Sequence, residues 1–208
     1  MKNLVTVTII AAALSVPMVA RSDIGGVEKY RSCAVCHGET GQGNADMGSP
    51  ALAGQDSAYL ERQLQHFKSG IRGADPRDTG GIPMKAIAGV LAEDDISVVA
   101  AYLSSLPPPI PDALPEGDLK NGNNYYQSKC GACHGGEAQG NVGLNAPALA
   151  MLDSVYLKQQ FYNFQQGIRG AHPEDKYGRQ MAMMSSTLPS DKDLNDVIAY
   201  IQSMAMPL

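Results

Sequence analysis

The sequence predicts an all-α protein made of two tandem copies of one small helical unit, joined by a proline-rich linker. Three observations predict it. First, Cys33-Ala-Val-Cys36-His37-Gly38 recurs as Cys130-Gly-Ala-Cys133-His134-Gly135, and the match runs on without a gap. Gln42-Gly43-Asn44 pairs with Gln139-Gly140-Asn141, Pro50-Ala51-Leu52 with Pro147-Ala148-Leu149, and Tyr59-Leu60 with Tyr156-Leu157. Gly70-Ile71-Arg72-Gly73-Ala74 returns as Gly167-Ile168-Arg169-Gly170-Ala171, Met84 falls on Met181 and Leu91 on Leu188. A one-residue insertion in the second copy then brings Tyr102 onto Tyr200. Second, apolar side chains recur at helical spacing in both copies. Third, no stretch alternates as a strand would.

Taken in chain order, the first element is a targeting segment. Lys2 precedes a run from Leu4 to Val19 without a charge, followed by small residues, so residues 1–22 read as a cleavable signal peptide. Ala20 and Ser22 place the cut after Ser22, with a cut after Ala20 as the alternative. The rival is an uncleaved anchor, for which the run is short of the roughly 20 residues a span needs and is interrupted by Pro17.

Domain 1 is expected over 23–106 and domain 2 over 118–208. Between them, 107–117 is dense in proline, which excludes helix and favours a stiff connector. In each copy a short helix should lead into the first cysteine, over Val27 to Ser32 and Asn124 to Lys129. A second helix begins near Ser57 or Ser154, where Asp-Ser supplies a cap, and ends at Gly70 or Gly167. Leu60, Leu64 and Phe67 form its apolar stripe, mirrored by Leu157, Phe161 and Phe164. The last helix carries Ile96, Val99, Ala100 and Leu103, and in the second copy Leu194, Val197, Ile198 and Ile201, with Ser190 to Asp193 resembling a capping box. The segments Gly38 to Gly54 and Gly73 to Pro83 read as long loops.

Net charge is −5, which argues against nucleic acid and anionic lipid as partners and mildly for a basic patch on a redox partner. The chain has no Trp and only 3 Phe, a thin aromatic supply for two cores that a large apolar cofactor would make up. Cys-x-x-Cys-His is the c-type haem attachment signature. Two thiols at this spacing add across the vinyl groups of one porphyrin, and the adjacent histidine is directed at its iron. A thiol–disulfide exchange motif would want a βαβ context, and a zinc site would have to unite two distant cysteine pairs, each with its own histidine. Cys33, Cys36, Cys130 and Cys133 are therefore read as attaching two haem c, with His37 and His134 as axial ligands.

Met84 and Met181 are the only methionines that superpose between the copies, and a thioether is a soft, neutral sixth ligand that favours reduced iron. Met47 lies too soon after its motif to cross the ring. In the second copy Met183 and Met184 stand beside Met181, so that assignment rests on the alignment. His66 and His172 face Asn163 and Asp75 in the other copy and read as solvated side chains. Arg72 and Arg169, duplicated in the Gly-Ile-Arg-Gly turn, are either propionate partners or surface arginines.

These residues resemble those of the dihaem cytochromes c of the cytochrome c4 type, and the resemblance covers essentially all of residues 23–208. Its carriers are the paired motifs, Pro50 to Gln55 with Tyr59-Leu60, Phe67 to Arg72, and Met84 with Leu91. The second copy departs in lacking the Pro before its Met and in carrying Ala150-Met151 where the first has Ala-Gly. The resemblance implies two class I cytochrome c domains about a pseudo-twofold axis, ligated by His37 with Met84 and His134 with Met181. It also implies a glycine–aromatic crossing of first and last helices, at Gly25 with Tyr102 and Gly122 with Tyr200. The expected role is a periplasmic carrier of single electrons between a quinol-oxidising complex and a terminal oxidase, and any membrane association would run through those complexes. The rivals are a cytochrome subunit of a dehydrogenase and a dihaem peroxidase-like enzyme, for whose distal acid or base no residue is obviously placed.

Overall fold

The computed structural model describes residues 21–206, so the expected signal peptide lies outside them apart from Arg21 and Ser22. Among the described residues the only β pairing is one isolated bridge in each copy, Asn44 with Ser49 and Asn141 with Ala146. No helix among them is long and apolar enough to cross a membrane.

The first copy is four helices. α1 (Arg21–His37) ends in the Cys-x-x-Cys-His motif, α2 (Ser57–Ser69) and α3 (Gly81–Val90) form a pair, and α4 (Glu93–Ser105) lies across both α1 and α2. Asp56 caps α2 by accepting from the Tyr59 N–H, and Gly70, at φ 77°, turns the chain out of it. The core is Tyr30, Leu60, Val99, Ala100 and Leu103, all but Tyr30 on the stripes that helical spacing marks.

The second copy repeats this with α7 (Ser154–Gln165), α8 (Lys176–Ser185) and α9 (Asp191–Ser203), but its first helix is broken. α5 (Leu119–Tyr125) passes into a π-helical turn over Tyr126–Cys130 before α6 (Gly131–His134) completes the motif. One residue more lies between Tyr126 and Cys130 than between Tyr30 and Cys33, and the wider turn absorbs it. The two tyrosines stay equivalent: the Tyr30 hydroxyl donates to the Gly38 carbonyl and the Tyr126 hydroxyl to that of Gly135, both at 2.6 Å.

That extra residue corrects the expected helix crossing. Gly122 does pack against Tyr200, but in the first copy it is Gly26 that meets Tyr102, while nothing lies within 4 Å of a Cβ built on Gly25. The helices entering the motifs are also longer than the expected Val27 to Ser32 and Asn124 to Lys129. The segment after Gly73 is less loop-like than predicted. Pro83 stands in the first turn of α3, where its missing N–H loses no partner, and the buried Asp78 carboxylate accepts from the Gly81 N–H at 2.9 Å. Asp175 caps α8 in the same way, accepting from Gly178 at 2.8 Å.

The copies face each other through reciprocal contacts, as a pseudo-twofold axis requires. Arg72 of the first donates to Tyr156 and Gln160 of the second, and Arg169 of the second donates to Tyr59 and Gln63 of the first. Beside them Ala51 packs on Met151 and Leu152, so the methionine that replaces a glycine in the second copy fills the junction. Gln55 closes the contact with a pair of hydrogen bonds to the backbone of Ala148, at 3.0 and 2.9 Å.

Candidate haem sites

In each copy the motif histidine is fixed by the loop that follows it. The His37 Nδ1 lies 2.8 Å from the Pro50 carbonyl and the His134 Nδ1 lies 2.9 Å from that of Pro147. A carbonyl can only accept, so Nδ1 carries the proton and the Nε2 lone pair is left free for a metal. The loop returns to the right place because Gly43 donates to the His37 carbonyl and Gly140 to that of His134. Gly41, at φ 72°, accepts from both Leu52 and Ala53. Its counterpart Ala138 takes the same left-handed conformation at φ 56° and accepts from Leu149 and Ala150, strain that the loop's hydrogen bonds hold in place. Burial pushes both imidazoles below their ordinary pKa, against the pull of the proline carbonyls, and keeps them in the neutral form that binds iron.

All four cysteines are free of disulfides. Burial raises the Cys33 thiol, and that of Cys130 is pushed up to about 11, burial again outweighing the nearby Lys129. Two thiols and a buried, oriented imidazole on one helix end are the donor set that covalent haem needs.

Met84 lies on α3 and Met181 on α8, both half-buried, whereas Met183 is 65 % and Met184 37 % exposed. The helix that carries Met84 was not legible as a helix, because Gly80, Gly81 and Pro83 read as loop. The structure lifts both arginines off the surface: Arg72 and Arg169 are each 8 % exposed, each 4.5 Å above its own phenylalanine (Phe67 or Phe164). They join Tyr59, Tyr156, Gln63 and Gln160 in one network between the copies. Arg72 Nε is buried without a partner there, a donor of the kind a carboxylate would satisfy. Burial would raise the Tyr156 phenol, but the two guanidiniums, Arg72 first, hold it below its ordinary value.

His172 is exposed, as expected, but His66 is not the solvated side chain that its lack of a repeat partner suggested. It reaches across the junction, with Nδ1 3.8 Å from the Asp175 carboxylate, and burial is the main cause of its lowered pKa. Its repeat equivalent Asn163 makes the mirrored approach to Asp78, at 3.5 Å. Contact across the copies is invisible to periodicity, and only comparison of the two halves at the same position could have flagged it.

The family model described as Cytochrome c matches residues 26–107 and 119–205. The thiosulfate dehydrogenase electron acceptor of Stutzerimonas stutzeri is 34 % identical over 183 residues, covering 83 % of this chain and 79 % of that protein. A cytochrome c4 of Stutzerimonas stutzeri is 30 % identical, covering 86 % of this chain and 87 % of that protein. Among solved structures, reduced recombinant cytochrome c4 from Pseudomonas stutzeri superposes with a TM-score of 0.69 at 28 % identity, covering 86 % of this chain and 97 % of that one.

Proposed function

The chain belongs to the cytochrome c family as a c4-type electron carrier with two covalently bound haem c, and on that footing we propose that it shuttles single electrons in the periplasm between respiratory partners, from a quinol-oxidising complex to a terminal oxidase. One observation supports this reading: each copy sets a buried, oriented motif histidine, His37 or His134, beside a separate helix that carries a half-buried methionine, Met84 or Met181, and we read these as the iron ligands. These four residues would hold the two irons with protein donors and leave no place for substrate there, which favours a carrier over the peroxidase-like alternative. When bound, each haem supplies a one-electron iron couple whose potential a methionine ligand raises.

The chain's own residues do the rest. Pro50 and Pro147 hold the imidazoles so that Nε2 stays aimed. Asp78 and Asp175 cap the helices that present Met84 and Met181. Between the copies Arg72 and Arg169, with their tyrosine and glutamine partners, form a buried network and would offer cationic donors to haem propionates. A site that does not rearrange on a change of charge keeps transfer fast in both directions.

Replacing Met84 and Met181 by Ala, one at a time, tests the ligand set. Each change should remove the methionine–iron charge-transfer band from one haem of the two and open that iron to carbon monoxide. A Met181→Ala protein that keeps both bands would refute the second assignment and point to Met184 or Met183.

A second reading of the donor is a dehydrogenase in place of a quinol-oxidising complex, and the relative named as a thiosulfate dehydrogenase electron acceptor favours it. Reduction of the oxidised protein by each donor, followed by rapid mixing, separates the two.

A further inference from the structure

We propose that Arg62 is a positioning residue for the second haem site, acting on it from the first copy. It extends the reading of Met181 as the sixth ligand and rests on it. Arg62 lies half-buried on α2 and crosses the junction. Its Nη1 donates to the Asn145 side-chain oxygen at 3.1 Å and its Nη2 to the Asn145 carbonyl at 2.8 Å. Its Cζ stands 4.7 Å from the centroid of the Tyr177 ring. Asn145 ends the short turn that follows the second motif, and it does so in the left-handed region at φ 56°. Tyr177 lies one helical turn before Met181 on α8. One guanidinium therefore ties the segment leaving the His134 loop to the helix that carries Met181.

The clamp runs one way. The repeat equivalents of Arg62, Asn145 and Tyr177 are Gln159, Gly48 and Gly80. A Cβ built on either glycine meets nothing within 4 Å, and the Gln159 amide turns instead to Asn163, at 2.8 Å. Among the described residues no arginine clamp stands at the equivalent positions of the first copy, whereas the second copy's Met181 helix is braced by one from outside its own domain. The geometry makes the second iron–sulfur bond depend on docking of the two copies.

The test is Arg62→Gln, the residue the repeat itself uses, in the haem-loaded protein. The methionine methyl resonances of the two haems and their two potentials are read separately, with a Met84→Ala background isolating the second site. Charge-assisted hydrogen bonds of this kind hold their partners by about tenfold or more. The equilibrium between methionine-bound and methionine-free iron at the second site should shift towards the free form by about tenfold, at lower denaturant, with a lowered potential there and no change at the first. Arg62→Lys keeps the charge without the two-pronged bond, so it should leave the second site in the methionine-free direction, as Arg62→Gln does. Equal effects on both haems, no effect on either, or a lysine variant that restores methionine binding in full would overturn the proposal. Failure of the Met181 assignment shows itself independently, as a methionine signal at the second haem that survives Met181→Ala.

Discussion

The crossing of the first and last helices in each copy gives the sharpest energetic prediction, because neighbouring glycines of α1 should respond oppositely to the same change. A Cβ at Gly26 would fall inside the contact distance of the Tyr102 Cβ and 2.8 Å from its Cγ. Carbon atoms rest about 3.5–4.0 Å apart, so α1 and α4 must separate by more than about half an ångström over the core of Tyr30, Val99 and Leu103. Overpacking of this kind costs about 3 kcal/mol, and the better helix propensity of alanine offsets about 1 kcal/mol of it. Gly26→Ala should therefore destabilise the first domain by about 2 kcal/mol, lowering its Tm by about 10 °C. Gly25→Ala, with open space around it, should be neutral or stabilise by up to about 1 kcal/mol. Thermal unfolding of the haem-loaded protein, followed by circular dichroism and by haem absorbance, reads both. A neutral Gly26→Ala, or a Gly25→Ala that costs as much, would refute the register of the crossing and with it the role of the π turn.

Tyr126→Phe removes the 2.6 Å bond to the Gly135 carbonyl and should cost the second domain about 1–2 kcal/mol in denaturant unfolding, with Tyr30→Phe doing the same to the first. Gln55→Ala strips both partners from the Ala148 backbone and should weaken docking by about 2 kcal/mol, splitting one calorimetric transition into two. Lys192, then the Asp118 N–H and Asn121, hold the Asp196 carboxyl down at about 2, below its unfolded value of 3.8. A depressed folded pKa gives stability that is fully present above the unfolded value and lost as pH falls through the folded one. The second domain should therefore weaken between about pH 4 and pH 2, and Asp196→Asn should be less stable at neutral pH but flatter across that window in acid unfolding.

Much of this was legible in local pattern. The motif is contiguous, the terminal helices show their apolar stripes, and Asp56 and Ser190 announce their helices because capping is a short-range bond. What escaped was of two kinds. The helix bearing Met84 begins where glycine and proline usually mean loop, that bearing Met181 has a glycine in its first turn, and the Asp78 and Asp175 carboxylates settle both starts by accepting from Gly81 and Gly178. The π turn is a one-residue excess that an ungapped match at the motifs conceals, which is why Gly25 was paired with Tyr102 in place of Gly26. Contacts between the copies were beyond reach, since His66 and Arg62 find their partners more than 80 residues away in the chain. Because asparagine and not histidine stands at its repeat position, His66 looked incidental, yet such differences make the junction asymmetric.

The central claim is that two matched halves each bind haem through one histidine and one methionine, so that the protein stores electrons without offering iron to a substrate. A redox titration of the haem-loaded protein, monitored through the methionine–iron charge-transfer band and calibrated against haem content, tests this most directly. Two one-electron steps, each removing half of the band on reduction, with no carbon monoxide binding to the fully reduced protein, is the predicted result. A band equivalent to one haem, with the other iron binding carbon monoxide, would contradict the account and restore the enzyme reading.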